Sequence, residues 1–152
     1  MTNKVYGKLA PKLKKWVARY NGNLVLIDEA LGMLQKMKLV DAPASMEKKY
    51  AGYVNFATAI QDADGADAFN APIWTVPAEA FDQAKGKPKQ VGATGDFTKV
   101  SLGQIRYRGG RIRFVGALLP MPTEEFDHPF GLGDYSLTYS GYQILKNLII
   151  WQ

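Results

Sequence analysis

Four arginines that flank a pair of glycines are the feature of this sequence most suited to chemistry. Arg106 and Arg108 precede Gly109-Gly110, and Arg111 and Arg113 follow it, with an apolar residue between each arginine and the next on its own side. Alternation on both sides of a two-residue turn predicts a β-hairpin with one apolar and one basic face. Guanidinium groups bind phosphates and carboxylates through paired hydrogen bonds. The pattern therefore predicts that the four arginines form an anion-binding surface.

The spacing also predicts which arginines face each other. With Gly109-Gly110 as the turn, Arg108 lies opposite Arg111, and Arg106 lies opposite Arg113. Like charges in directly opposed positions destabilise a sheet. Such pairs are either fully solvated or relieved by a bound anion, which would be nucleic acid or an acidic protein surface. The sequence leaves these three interpretations open.

A second basic stripe lies near the start of the chain. Its members have helical spacing: Lys8, Lys12, Lys15 and Arg19. Each stands one position before a residue of an apolar stripe: Leu9, Leu13, Trp16 and Tyr20. We expect a helix whose apolar stripe packs on the core, with the basic stripe beside it. Such a helix either has a solvated flank or docks on a membrane surface or a partner.

The remaining candidates for chemistry argue against an enzyme. The acidic segment 62–67 lacks the EF-hand pattern, because its glycine is fourth, not sixth, and the twelfth position is Ile73. His128 follows Asp127, but no nucleophile motif accompanies it. The chain has no cysteine and one histidine, which excludes thiolate nucleophiles and Cys-ligated metals. We expect no catalytic residues, no metal and no cofactor.

Length and charge limit how the chain can be organised. With 152 residues and 47% apolar content, it fits a single domain, 1–152, with its own core. The net charge of +5 is segregated, with +6 in each of residues 1–38 and 81–118, −4 in 39–80 and −3 in 119–152. These blocks can neutralise one another, within the chain or between copies, or can present basic patches to an anionic partner.

The elements that must position these residues follow from periodicity. Helical spacing predicts about three helices between residues 8 and 61, over about 8–20, 23–38 and 45–61. Asn21-Gly22 is expected to end the first of them. A loop region over 62–96 and strands over about 97–152 complete an α+β fold, in which N-terminal helices precede a small antiparallel β-sheet with long ordered loops. Periodicity does not decide between strand and helix for 142–151.

The leading functional hypothesis is a non-enzymatic structural or assembly component of a larger complex, of which a phage-like virion is one setting. Its partners would be other protein subunits, and nucleic acid is a further candidate. No apolar segment is long enough to span a bilayer, and the first residues lack a signal peptide, so we expect synthesis in the cytoplasm and incorporation into a virion. The alternatives are a standalone nucleic-acid-binding protein and a small inhibitor that docks on a host protein.

Overall fold

The computed structural model describes residues 3–52, 54–56, 69–94, 97–116 and 139–150. The acidic segment 62–67 and His128 lie outside the described residues. Four α-helices are present within the described part: α1 (Asn3–Tyr20), α2 (Met33–Lys36), α3 (Ala78–Asp82) and α4 (Tyr139–Ile150), with a 3₁₀ helix over Asp28–Gly32. The strands are β1 (Asn23–Ile27), β2 (Ser45–Gly52), β3 (Val54–Phe56), β4 (Phe69–Pro77), β5 (Lys87–Thr94), β6 (Lys99–Tyr107) and β7 (Gly110–Val115).

The seven strands form one mixed sheet that curls on itself. Its order is β1-β7-β6-β4-β2, and β5 pairs with both β6 and β3. The β1–β7 pair is parallel, whereas all the other pairs are antiparallel. β3 begins two residues after β2 ends, and the two strands pair with different neighbours, β2 with β4 and β3 with β5. The expected combination of helices and sheet is therefore present.

The predicted order of helices before strands is wrong. Residues 23–27 and 45–52, expected to be helical, are β1 and β2, and only α1 is a long helix near the N-terminus. The expected loop region 62–96 contains β4, α3 and β5. The first error arises because the apolar run of β1 is short, and short apolar runs fit a strand and a buried helix equally well. Parallel pairing with β7, far along the chain, selects the strand.

The main core lies between the helices and one face of the sheet. Phe81 of α3 and Phe114 of β7 contact each other edge to face, with ring centroids 5.4 Å apart. Gly103 of β6 permits this contact, because a Cβ atom there would lie 2.8 Å from Cζ of Phe114. Ile105 and Ile112, paired across β6 and β7, are also fully buried on this face. The apolar face predicted for the hairpin thus packs into the main core.

Helix α1 packs through a different face from the one that its sequence suggests. Its buried side chains are Tyr6, Ala10 and Val17. Leu13 is partly buried, but Leu9, Trp16 and Tyr20 are 38%, 43% and 65% exposed. The expectation that all four members of the apolar stripe pack on the core is therefore wrong.

Close approach of the backbones explains the orientation of α1. A Cβ atom on Gly110 would overlap the carbonyl oxygen of Val17 and lie 2.6 Å from Val17 Cγ1. Ala10, also on the buried face, is the smallest side chain that α1 could place there apart from glycine. The missing side chain at Gly110 allows Val17 of the helix to lie directly against the start of β7, and bulky Trp16 is left largely exposed.

Helix α4 occupies the segment for which the sequence left strand and helix open. Asn23 Nδ2, at the first residue of β1, donates a hydrogen bond to the carbonyl oxygen of Ile149 at 3.1 Å. Leu148 is fully buried, whereas Ile149 and Ile150 are exposed. No helix in the part of the chain that the structure describes is long and apolar enough to cross a membrane.

Candidate anion-binding groove

The predicted arginine hairpin is formed by β6 and β7, but its register differs from the expected one. Arg106 pairs with Arg111, and Gln104 pairs with Arg113. The turn consists of Arg108 and Gly109, because Gly110 is already paired with Tyr107. The expected pairs Arg108–Arg111 and Arg106–Arg113 are therefore wrong.

Contact with α1 explains this register. Gly110 lies where a side chain would collide with the backbone of Val17, so a glycine is required at this strand position. The turn is consequently displaced by one residue toward the N-terminus, and Arg108 takes a turn position. The arginine alternation itself carries no information about this contact.

Arg113 is buried and does not lie on an open basic face. Its side chain is 0% exposed, and Nε donates to Gln104 Oε1 at 2.8 Å. Nη1 donates to the carbonyl oxygen of Leu148 at 2.6 Å, and a longer contact of 3.4 Å reaches that of Ile149. Burial, together with the nearby charges of Arg111 and Arg106, lowers the pKa of the Arg113 guanidinium. This finding corrects the expectation of four arginines on one accessible surface.

The role of Arg113 follows from what it contacts. The last carbonyl groups of a helix have no partner within the helix and carry a partial negative charge. Arg113 supplies hydrogen-bond donors and positive charge at that end of α4. It therefore attaches α4 to the face of the sheet opposite the main core.

Arg108 occupies an unfavourable backbone conformation at the tip of the hairpin. Its φ is 53°, in the left-handed region that glycine and asparagine adopt most readily. An L-residue with a larger side chain pays about 1–2 kcal/mol for this conformation. The guanidinium lies 5.7 Å from the ring centroid of Tyr107, and Nζ of Lys14 lies 5.3 Å from the same centroid. The Tyr107 ring thus makes cation–π contacts with one cation from the turn and one from α1.

The C-terminal end of α1 is fixed to the hairpin. Asn21 has φ 54°, and the Gly22 N–H donates to the carbonyl oxygen of Val17 at 3.2 Å, which ends the helix as Asn21-Gly22 predicts. The Gly22 carbonyl oxygen in turn accepts from the N–H of Arg111 at 2.9 Å. These bonds hold the last turns of α1 beside the turn of the hairpin.

An open groove of about 510 Å³ lies between α1 and the hairpin turn. We call it the basic groove, and its lining residues are Pro11, Lys14, Lys15, Ala18, Arg19, Tyr107 and Arg108. Four of these seven side chains are cations, and none is acidic. Such a cluster attracts an anion with several charges.

The basic groove joins parts of two sites that the sequence predicts separately. Lys15 and Arg19 come from the basic stripe of α1, and Arg108 comes from the hairpin. Lys8 and Lys12 are exposed on α1 but do not line the groove.

Arg106 and Arg111 lie on the other face of the hairpin, next to Arg113. The register places Arg106 and Arg111 opposite each other on the face that Gln104 and Arg113 share. Arg106 is exposed, whereas Arg111 is half-buried. The structure therefore divides the four predicted arginines into a turn residue, an opposed pair and a buried residue.

Four lining residues lie outside the predicted sites, and two of them, Lys14 and Tyr107, carry groups suited to binding. Lys14 lies off the basic stripe, although the Lys14-Lys15 doublet shows that cations point in two directions from α1. Tyr107 was assigned to the apolar face, and it is indeed partly buried against the core while it also lines the groove. Only the docking of α1 on the hairpin reveals its second role.

Among the described residues, no group of three or more His, Cys, Asp or Glu side chains is placed to hold a metal ion. Comparison of the chain with protein-family models, with curated proteins and with solved structures finds no significant match.

Proposed function

We propose that this protein is a non-enzymatic assembly component that docks on an anionic partner through the basic groove. The observation that carries the proposal is the convergence of cations from two elements far apart in the sequence. Lys14, Lys15 and Arg19 come from α1, and Arg108 comes from the hairpin turn. Because none of the described residues that line the groove is acidic, the four charges repel one another until an anion enters.

The backbone of Arg108 supports a binding role. Glycine or asparagine would adopt its φ of 53° with less strain. Folding alone therefore disfavours an arginine at this position, and a strained residue beside a groove is a reason to expect function there. Its guanidinium suits both carboxylates of an acidic protein segment and phosphates of a nucleic acid.

A standalone nucleic-acid-binding protein is the second candidate. Tyr107 favours it, because an aromatic ring among cations offers a base both stacking and charge contacts. The phage-like virion suggested as a setting for the first candidate stays a prediction.

The groove is tested with two variants that lose the same charge. The groove variant is Lys15→Gln with Arg108→Gln, and the control variant is Lys36→Gln with Lys85→Gln, whose lysines are exposed and do not line the groove. Fluorescence anisotropy measures binding of polyglutamate and of a single-stranded oligonucleotide of about 15 nucleotides. We expect the groove variant to bind at least one probe about tenfold more weakly, equivalent to about 1.4 kcal/mol. Equal loss in both variants would show that only net charge matters and would refute the groove.

Solution mass distinguishes the two candidate functions. An assembly component is expected to form particles with two or more copies of the 16.8 kDa chain in light scattering, alone or once a probe is bound. A protein that remains monomeric under both conditions while binding the oligonucleotide favours the standalone nucleic-acid-binding function.

A further inference from the structure

A second basic surface lies on the hairpin face opposite the main core. Lys87 of β5 pairs with Arg106 of β6, and Arg106 pairs with Arg111 of β7. Directly paired residues lie on the same face of a sheet, so three cations stand side by side, and we call them the cationic row. With strands about 4.8 Å apart, the row spans about 10 Å. Opposed like charges destabilise a sheet, and an anion bound across the row would relieve their repulsion.

The surroundings of the cationic row are polar. Asn23 of β1 continues the row beyond Arg111. A second row of cross-strand partners lies on the same face, two positions away along each strand. It consists of Lys89, Gln104, Arg113 and Val25. Gln104 and Arg113 are buried where α4 packs on the sheet, and of the other six positions four are basic, one is an amide, one is valine and none is acidic.

This composition distinguishes between the possible anionic partners. The centre of a protein–protein interface is enriched in apolar and aromatic side chains. Interfaces with nucleic acid are more polar and much more positively charged. The face that carries the cationic row matches the second description.

We propose that the cationic row binds the phosphate backbone of a nucleic acid, which continues over the hairpin turn into the basic groove. This inference rests on the proposed function, because it identifies the anionic partner of that groove. Lys87 and Arg106 are exposed, and Arg111 is half-buried beside them. Arg108, in the turn between the two faces, provides a cation midway along this path. A nucleic acid strand would thus contact both faces of one hairpin.

The experiment compares three charge-matched variants of the full chain. The row variant is Lys87→Gln with Arg106→Gln, tested beside the groove and control variants defined above. Binding of the same single-stranded oligonucleotide is titrated at a series of salt concentrations. Each phosphate contact to a single strand contributes about 0.7 to the slope of log K against log salt. We expect the row and groove variants each to lower that slope by about 1.4, and the control to leave it unchanged.

The outcomes separate this inference from the proposed function. Weaker binding by the groove variant alone would overturn the cationic row and leave the groove in place. If the wild type prefers polyglutamate and the row variant loses that binding, the partner is an acidic protein, and the nucleic-acid assignment is wrong. A wild type that binds neither probe would overturn both proposals. Denaturation of the row variant shows whether its fold is intact, which we expect because the substitution removes repulsion.

Discussion

Replacing Arg113 tests whether a buried guanidinium attaches α4 to the sheet. Arg113→Met keeps much of the side-chain volume but removes the hydrogen bonds to Gln104 and to the carbonyl groups of Leu148 and Ile149. A hydrogen bond to a charged group contributes about 1.5–3 kcal/mol, and an unsatisfied buried acceptor costs about 1–3 kcal/mol. The methionine avoids the cost of burying a charge, which offsets part of the loss. We expect the free energy of unfolding to fall by about 2–4 kcal/mol.

Arg106→Met provides the matched control, because Arg106 lies on the same face but is exposed. Its substitution is expected to change stability by no more than about 0.5 kcal/mol. Urea denaturation followed by circular dichroism measures both values. The double variant Gln104→Leu with Arg113→Met should recover about 1 kcal/mol or more, since it removes both polar partners together. If Arg113→Met costs no more than the control, Arg113 does not hold α4, and the reasoning fails.

Three further predictions concern single residues. Arg108→Gly should relieve the strain at φ 53° and raise the free energy of unfolding by about 0.5–1 kcal/mol while weakening polyanion binding; a denaturant titration that shows lower stability would contradict this. Gly110→Ala should lower the free energy of unfolding by about 2 kcal/mol or more, because the new Cβ atom would overlap Val17. The control Gly7→Ala, whose Cβ atom would have nothing within 4 Å, should be neutral or stabilising. Equal changes in the free energy of unfolding, measured in urea, would be evidence against close packing of α1. Burial raises the pKa of Tyr6 above its usual 10.0, so its neutral form contributes stability in full below pH 10 and loses that contribution as pH rises toward the folded-state pKa. The urea midpoint of Tyr6→Phe should therefore fall less steeply above pH 10 than that of the wild type. The same dependence of the midpoint on pH in the two proteins would disprove this.

Local signals in the sequence predicted local structure correctly. Asn21-Gly22 ends α1 because these residues tolerate the backbone of a helix C-terminus. The alternation around Gly109-Gly110 gives a hairpin because neighbouring strands need no long connection. Both features depend on residues within a few positions of each other.

Long-range contacts account for what the sequence did not reveal. The register of the hairpin depends on Val17, which requires a glycine at position 110. The identity of β1 as a strand depends on its parallel partner β7. Arg113 and Arg108 have the same local pattern, but only α4 determines that one is buried while the other lines the groove. The candidate site was thus predictable as two separate basic patches and not as one groove.

Parallel pairing of β1 with β7 also determines when the basic groove can form during synthesis. Residues 3–27 leave the ribosome long before residues 110–115, and β7 is the strand with which β1 pairs in the described part of the chain. Closure of such a large loop is slow compared with formation of a local hairpin. The β6–β7 hairpin is therefore expected to form first. β1 then pairs with β7, and α1 packs on the hairpin. A nascent chain that has not yet exposed β7 lacks the basic groove, so binding of the proposed anionic partner would follow completion of the sheet.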